Sequence, residues 1–166
     1  MNNEHSWLAP AKASSLESLQ PVFPERRNVI ATKRLSIKTA GEGQVIDIHK
    51  DVLAFVHESK VREGQVTVFV TATTASVTAV EYEPGLQIDL KTALERLFPR
   101  GIPYQHNILN NDTNGHSHTQ ATFIGPSLVI PISAGQPTLG TWQRIVLIDF
   151  DSRPRERQVV VQVFGE

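Results

Sequence analysis

The run Ile145-Val146-Leu147-Ile148 places four apolar side chains in a row between Arg144 and Asp149. In an extended chain successive side chains point to opposite faces. A strand that is apolar at every position therefore needs cover on both sides, which demands a layered fold. At 166 residues the chain is long enough to build such layers around one core as a single domain.

Other segments show the alternation of strands covered on one face. Leu35 and Ile37 alternate in a stretch from Arg27 to Gly41 and Gly43, which reads as one or two strands. Val66, Val68 and Val70 alternate over 65–72, and Ala75 to Val80 is a second extended piece. Asp47 reads as an N-cap before Ile48, Val52, Phe55 and Val56, whose spacing makes one apolar face and predicts a helix over 48–60. Pro84 stands at a first helical position, and Leu86, Leu90, Leu94 and Leu97 predict a second helix over 85–97. Four further strands are predicted over 117–124, 127–132, 139–150 and 156–164, split by Gly and Pro. The expected fold is α+β: a mostly antiparallel, sandwich-like sheet with two helices packed on it. Residues 1–26 carry Pro10, Pro21 and Pro24 with no sustained period, so they read as an extension, flexible or docked on a neighbour, before a single domain over 27–166.

Composition excludes several functions. Sixteen Lys and Arg against 17 Asp and Glu leave a net charge of -1, without the basic excess of a nucleic-acid binder. There is no cysteine, which removes disulfides, thiolate metal sites and cysteine nucleophiles. No apolar run approaches the ~18 residues of a membrane span. The start MNNEHSWLAP has neither the basic nor the apolar region of a signal peptide, so a cytoplasmic protein is expected.

Three groups of residues could carry chemistry. Tyr104-Gln105-His106-Asn107 is followed by Asn114-Gly115-His116-Ser117-His118. Were 116–122 extended, His116 and His118 would share a face, and His106 could add a third nitrogen to a metal site with an open position. A solvent-facing polar strand produces the same pattern. Glu81 and Glu83 precede Pro84, where they could act as acid, base or oxygen ligands, or simply favour a helix N-terminus; Thr73 and Thr74 add hydroxyls beside them. Gln143, Arg144, Arg153, Arg155 and Arg157 form a third group that could bind phosphate or be neutralised by nearby acids.

The ordered set VFVTATTASVTAVEYEPG, YQHN, NGHSH, GPSLVIPI, LGTWQ and RPRERQVVVQVFG resembles the YjbQ-type family, described as secondary thiamine-phosphate synthases, over about residues 27–166. The resemblance implies a homotrimer that joins a pyrimidine diphosphate to a thiazole phosphate, releasing pyrophosphate. It matches His106 to the histidine of the Tyr-x-His motif, His118 to that of the Ser-His motif, and Glu81 to the acidic residue. The commonest form of the family has a histidine where this chain has Ala72, and His116 is expected to supply the missing imidazole. The resulting expectation is a small phosphorylated substrate held by Thr73, Thr74, Gln143, Arg144 and Arg155. Glu81 would be catalytic, and a divalent ion (Zn or Mg) would sit at His106, His116 and His118. A non-catalytic metal- or ligand-binding trimer and a metal-assisted hydrolase are the alternatives.

Overall fold

A computed structural model describes residues 28–166, so the expectation for the extension over 1–26 lies outside the described residues. The fold is α+β with two antiparallel sheets. Strands β1 (Val29–Thr39), β8 (Arg155–Gly165), β3 (Gly64–Val70), β5 (Ser127–Ser133) and the two-residue β6 (Gln136–Pro137) lie side by side in that order. A smaller sheet places β7 (Gln143–Asp149) between β2 (Gln44–Asp47) and β4 (Ala75–Glu81). Four helices complete it: α1 (His49–Ser59), α2 (Pro84–Leu97), α3 (Gln105–Asn110) and α4 (Gly115–Ile124).

The apolar run on β7 explains the layering. Ile145 and Leu147 face the large sheet, joining Val66, Val68, Val70, Val159, Val161 and Val163 and the buried side of α1. Val146 and Ile148 face the other way, with Phe150, onto Leu94 of α2 and Ala121 of α4. Large sheet, small sheet and the helices α2 and α4 thus stack as three layers, with α1 in the core against the large sheet, and β7 is buried on both sides because it lies in the middle one.

Both anticipated helices form, with local reasons at their starts. Asp47 accepts a hydrogen bond from the His49 N–H at 2.8 Å, one residue before the geometric N-cap Ile48. Glu83 is the N-cap of α2, taking the N–H groups of Gly85 and Leu86 on its carboxylate, with Pro84 just inside the helix. The carboxylate read as a possible acid or ligand is therefore a cap.

Two corrections follow. The described residues form four helices rather than two, and the strand expected over 117–124 is the helix α4. Its buried side is made of Gly115, His116, Ser117, Gln120 and Ala121, so it has no apolar stripe to betray its period. Thr119 and Thr122 bond back to carbonyls one turn earlier, which lets β-branched hydroxyl residues sit in a helix. The short β2 and β6 have no signal in the sequence either.

Candidate functional site

The small sheet ends beside the loop 71–74, which crosses between β3 and β4. That loop, the start of α4 and the start of β8 enclose an open cleft of about 660 Å³. Thr71, Thr73 and Thr74 come from the loop, Asn114 and His118 from α4, and Arg155 from β8. Ala72 lies in the same wall, so the position where the resemblance expects a histidine does face this cleft.

Behind the cleft is a buried ion network. Arg157 reaches both oxygens of Asp149 with Nε and Nη2, each at 2.7 Å. Its Nη2 also donates to the Thr74 hydroxyl at 2.8 Å, and that hydroxyl donates to Asp151 at 3.1 Å. Thr39 of β1 donates to Asp149 as well. Arg157 and Thr39 belong to the large sheet and Asp149 to the small one, so the network ties the two sheets at the edge of the cleft. Burial alone would raise the Asp151 pKa, but hydrogen bonds from Arg155 and Thr74, with the two arginine charges, hold it below the ordinary carboxylate value. Burial likewise opposes the charge on Arg157, and Asp149 more than compensates, so its pKa is raised.

On the open side several groups are uncommitted. The Arg155 side chain gives its Nε to Asp151 at 2.8 Å and makes no other side-chain hydrogen bond among the described residues. Asn114 is the N-cap of α4, yet its side chain makes no capping bond and its Oδ1 is buried without a partner. The Gly115 N–H is capped instead by Asn107 Oδ1 at 2.8 Å. His118 is half-buried, within reach of the Thr73 backbone, and its pKa is lowered first by burial and then by the neighbouring His106 ring. The two imidazoles lie 4.3 Å apart between centroids, and His106 Nε2 is buried with no partner. An orphaned imidazole nitrogen beside a second imidazole suits a metal ion, but the pair offers only two donors. Among the described residues no group of three His, Asp or Glu is arranged to hold one.

His116 does not join them. Two residues along a helix are about 200° apart, so the shared face expected from an extended strand does not exist. His116 turns instead toward Tyr104, with ring centroids 6.4 Å apart, and its Nε2 lies 3.2 Å from the Ser117 hydroxyl. Burial, then the Arg100 charge, lowers its pKa.

Glu81, Gln143 and Arg144 are also elsewhere. Glu81 pairs with Gln143 at the end of β4 opposite to Ala75, which borders the cleft loop. Seven residues of strand put them about 20 Å away. Arg144 there holds Asp47 at 2.7 Å. Of the residues anticipated for substrate, Thr73, Thr74 and Arg155 meet at the cleft. Arg157, read as either a phosphate ligand or a group neutralised by nearby acids, is held by Asp149 and Asp151, and Asn114, quoted only as part of the histidine stretch, also lines the cleft.

Comparison with known proteins settles the lineage. Residues 33–166 match the family model described as UPF0047 protein YjbQ-like. The chain belongs to this family. A UPF0047 protein of Archaeoglobus fulgidus is 40% identical over 128 residues, covering 77% of this chain and 97% of the relative. YugU of Bacillus subtilis is 31% identical over 134 residues, 80% and 98% of the respective chains. Among solved structures, a YbjQ-like protein of unknown function from Sulfolobus solfataricus superposes with a TM-score of 0.81 at 31% identity, covering 84% of this chain and all (100%) of that one. A hypothetical protein from Aeropyrum pernix gives 0.76 at 37% identity, with 82% and 99% covered. The antiparallel architecture is thus that of the YjbQ-like proteins.

Proposed function

We propose that this YjbQ-like chain is a cytoplasmic enzyme of the thiamine-phosphate-synthase type, and that the cleft at loop 71–74 holds the diphosphate of its substrate. The observation that carries this reading is the free end of Arg155, facing a cleft lined by threonine hydroxyls and the amide of Asn114. Joining a pyrimidine diphosphate to a thiazole phosphate expels pyrophosphate, so the site must receive negative charge as it develops. A guanidinium offers paired donors for phosphate oxygens, and the first turn of α4 adds its positive end. No protein base is required at the departing group, which fits the placement of Glu81 far from the cleft.

His106 and His118 would hold a divalent ion together with oxygens of the bound diphosphate, since two imidazoles leave most of the coordination shell open. Such an ion would neutralise the leaving pyrophosphate. The rival reading, a non-catalytic ligand-binding assembly, is favoured by Ala72, which lacks the expected third imidazole. The two part on one measurement. Titration calorimetry with inorganic pyrophosphate and Mg²⁺ is expected to show binding that Arg155→Ala weakens at least 10-fold and His118→Ala weakens several-fold. Formation of thiamine phosphate from the two precursors, lost in both variants, supports the enzyme; binding without product supports its rival. Unchanged pyrophosphate affinity in Arg155→Ala overturns both.

The assembly we propose is a homotrimer. The outer face of the large sheet carries Ile30 opposite Phe164, exposed by 69% and 45%, with Phe69 and Val129 further along. A sheet face with this much exposed apolar surface needs cover, and Phe69 also lines the cleft, which would put the cleft at a subunit seam. Light scattering is expected to give about three times 18.4 kDa, and Phe164→Glu to reduce it toward the monomer.

A further inference from the structure

A second cleft, of about 600 Å³, lies on the opposite side of β7, between α2 and the small sheet. Its volume is in the range of small-molecule sites. The sequence places Leu86, Leu90, Leu94 and Leu97 on one stripe of α2, and such a stripe ordinarily packs down on its sheet. Here only Leu94 is buried, and Leu97 is 60% exposed. Ile148 and Phe150 are fully covered, but the groove between α2 and the sheet leaves Val45 and Leu90 partly open, with Pro99 at its end.

The rim is charged and not balanced. Arg100 is held by Glu42 and Glu95. Lys91 and Arg96 line the same cleft and have no ion-pair partner among the described residues. Three cations against two carboxylates leave one positive charge over an apolar floor. Gln120, buried in the wall, holds the Phe98 carbonyl only at 3.5 Å, so its amide is poorly engaged.

From these features we infer a second ligand site beside α2 that takes a small amphiphilic acid: an aliphatic or aryl body against Val45, Leu90 and Pro99, with its carboxylate at Lys91 and Arg96. The apolar body replaces water on the partly open Val45 and Leu90, and the charge matches the rim. This site is separate from the phosphate cleft. The two share only a wall: Phe150 lines one and the adjacent Asp151 the other.

The test uses the full chain, with anilinonaphthalene sulfonate as a fluorescent probe and octanoate and octylammonium as matched competitors. Octanoate is expected to displace the probe and octylammonium to fail. The double variant Lys91→Glu/Arg96→Glu is expected to weaken octanoate at least 10-fold with an unchanged melting temperature, because both side chains are exposed. Leu90→Trp, which fills the cleft, is expected to abolish octanoate binding while pyrophosphate binding stays as in the parent. Equal displacement by acid and amine, or full affinity in the charge variant, overturns the inference. So does an assembly mass that falls as octanoate is added, since a second copy would then be the occupant. If Leu90→Trp does not fold, the charge variant decides alone.

Discussion

Arg157→Met is expected to lower the free energy of unfolding by about 3–5 kcal/mol, since it leaves the buried Asp149 carboxylate without a cation, while Asp151 keeps Arg155. Asp149 and Asp151 are both essentially fully buried, and Arg157 is the group that touches both across the sheet joint. A domain of this size has about 5–15 kcal/mol in total, so the loss takes a large share. Urea denaturation compares the variant with Arg157→Met/Asp149→Asn, which removes the uncompensated carboxylate and should recover part of the loss. A change below about 1 kcal/mol in the single variant would mean that the network orients the cleft without holding the sheets.

The second large effect concerns metal. Ala72→His is expected to raise Zn²⁺ affinity at least about 10-fold over the parent, because it places a third imidazole in the cleft wall beside His118. That is the least a new direct ligand should contribute, given that lost hydrogen bonds behind a ligand already cost 10–100-fold. Only neutral imidazole ligates, so affinity falls as pH drops through the imidazole range. The lowered pKa of His118 keeps that ligand available to lower pH than an ordinary histidine. Metal titration at neutral and mildly acidic pH checks both points, with Ala72→His/His118→Ala as the control that should lose the gain. Equal affinity in Ala72→His and the parent would show that the two imidazoles are not a metal pair.

What the sequence revealed depended on how each element is buried. β7 and the valines of β3 are covered by apolar neighbours, and period-2 or continuous hydrophobicity marked them. The stripes on α1 and α2 marked both helices, and Pro84 marked where α2 starts. α4 escaped because His116, Ser117 and Gln120 are what it buries, and a polar buried face looks like a solvent face when only side-chain type is read. That one misreading moved His116 onto the wrong side of the site. Thr73, Thr74 and Arg155, singled out for their chemistry, line one cleft. The extended piece from Ala75 to Val80 already separated Glu81 from Thr73 and Thr74 by its own length, whereas the position of Arg144 depends on how β7 pairs with β4. Neutralisation of Arg155 and Arg157 by nearby acids was legible as one alternative; which acid meets which arginine depends on the packing of two sheets.

β8 lies between β1 and β3 in the large sheet, and its register joins Val29 to Gly165. The first and last described strands are neighbours, so loop closure across nearly the whole domain precedes completion of the sheet. Folding dominated by such distant pairings is slow. During synthesis β1 and β3 emerge long before the strand that separates them, each with an unpaired edge and a row of valine, leucine or isoleucine. Edges of this kind are templates for wrong pairing. Lys33, Arg34 and Lys38 on β1 give that waiting edge a positive charge that discourages it from adding another copy.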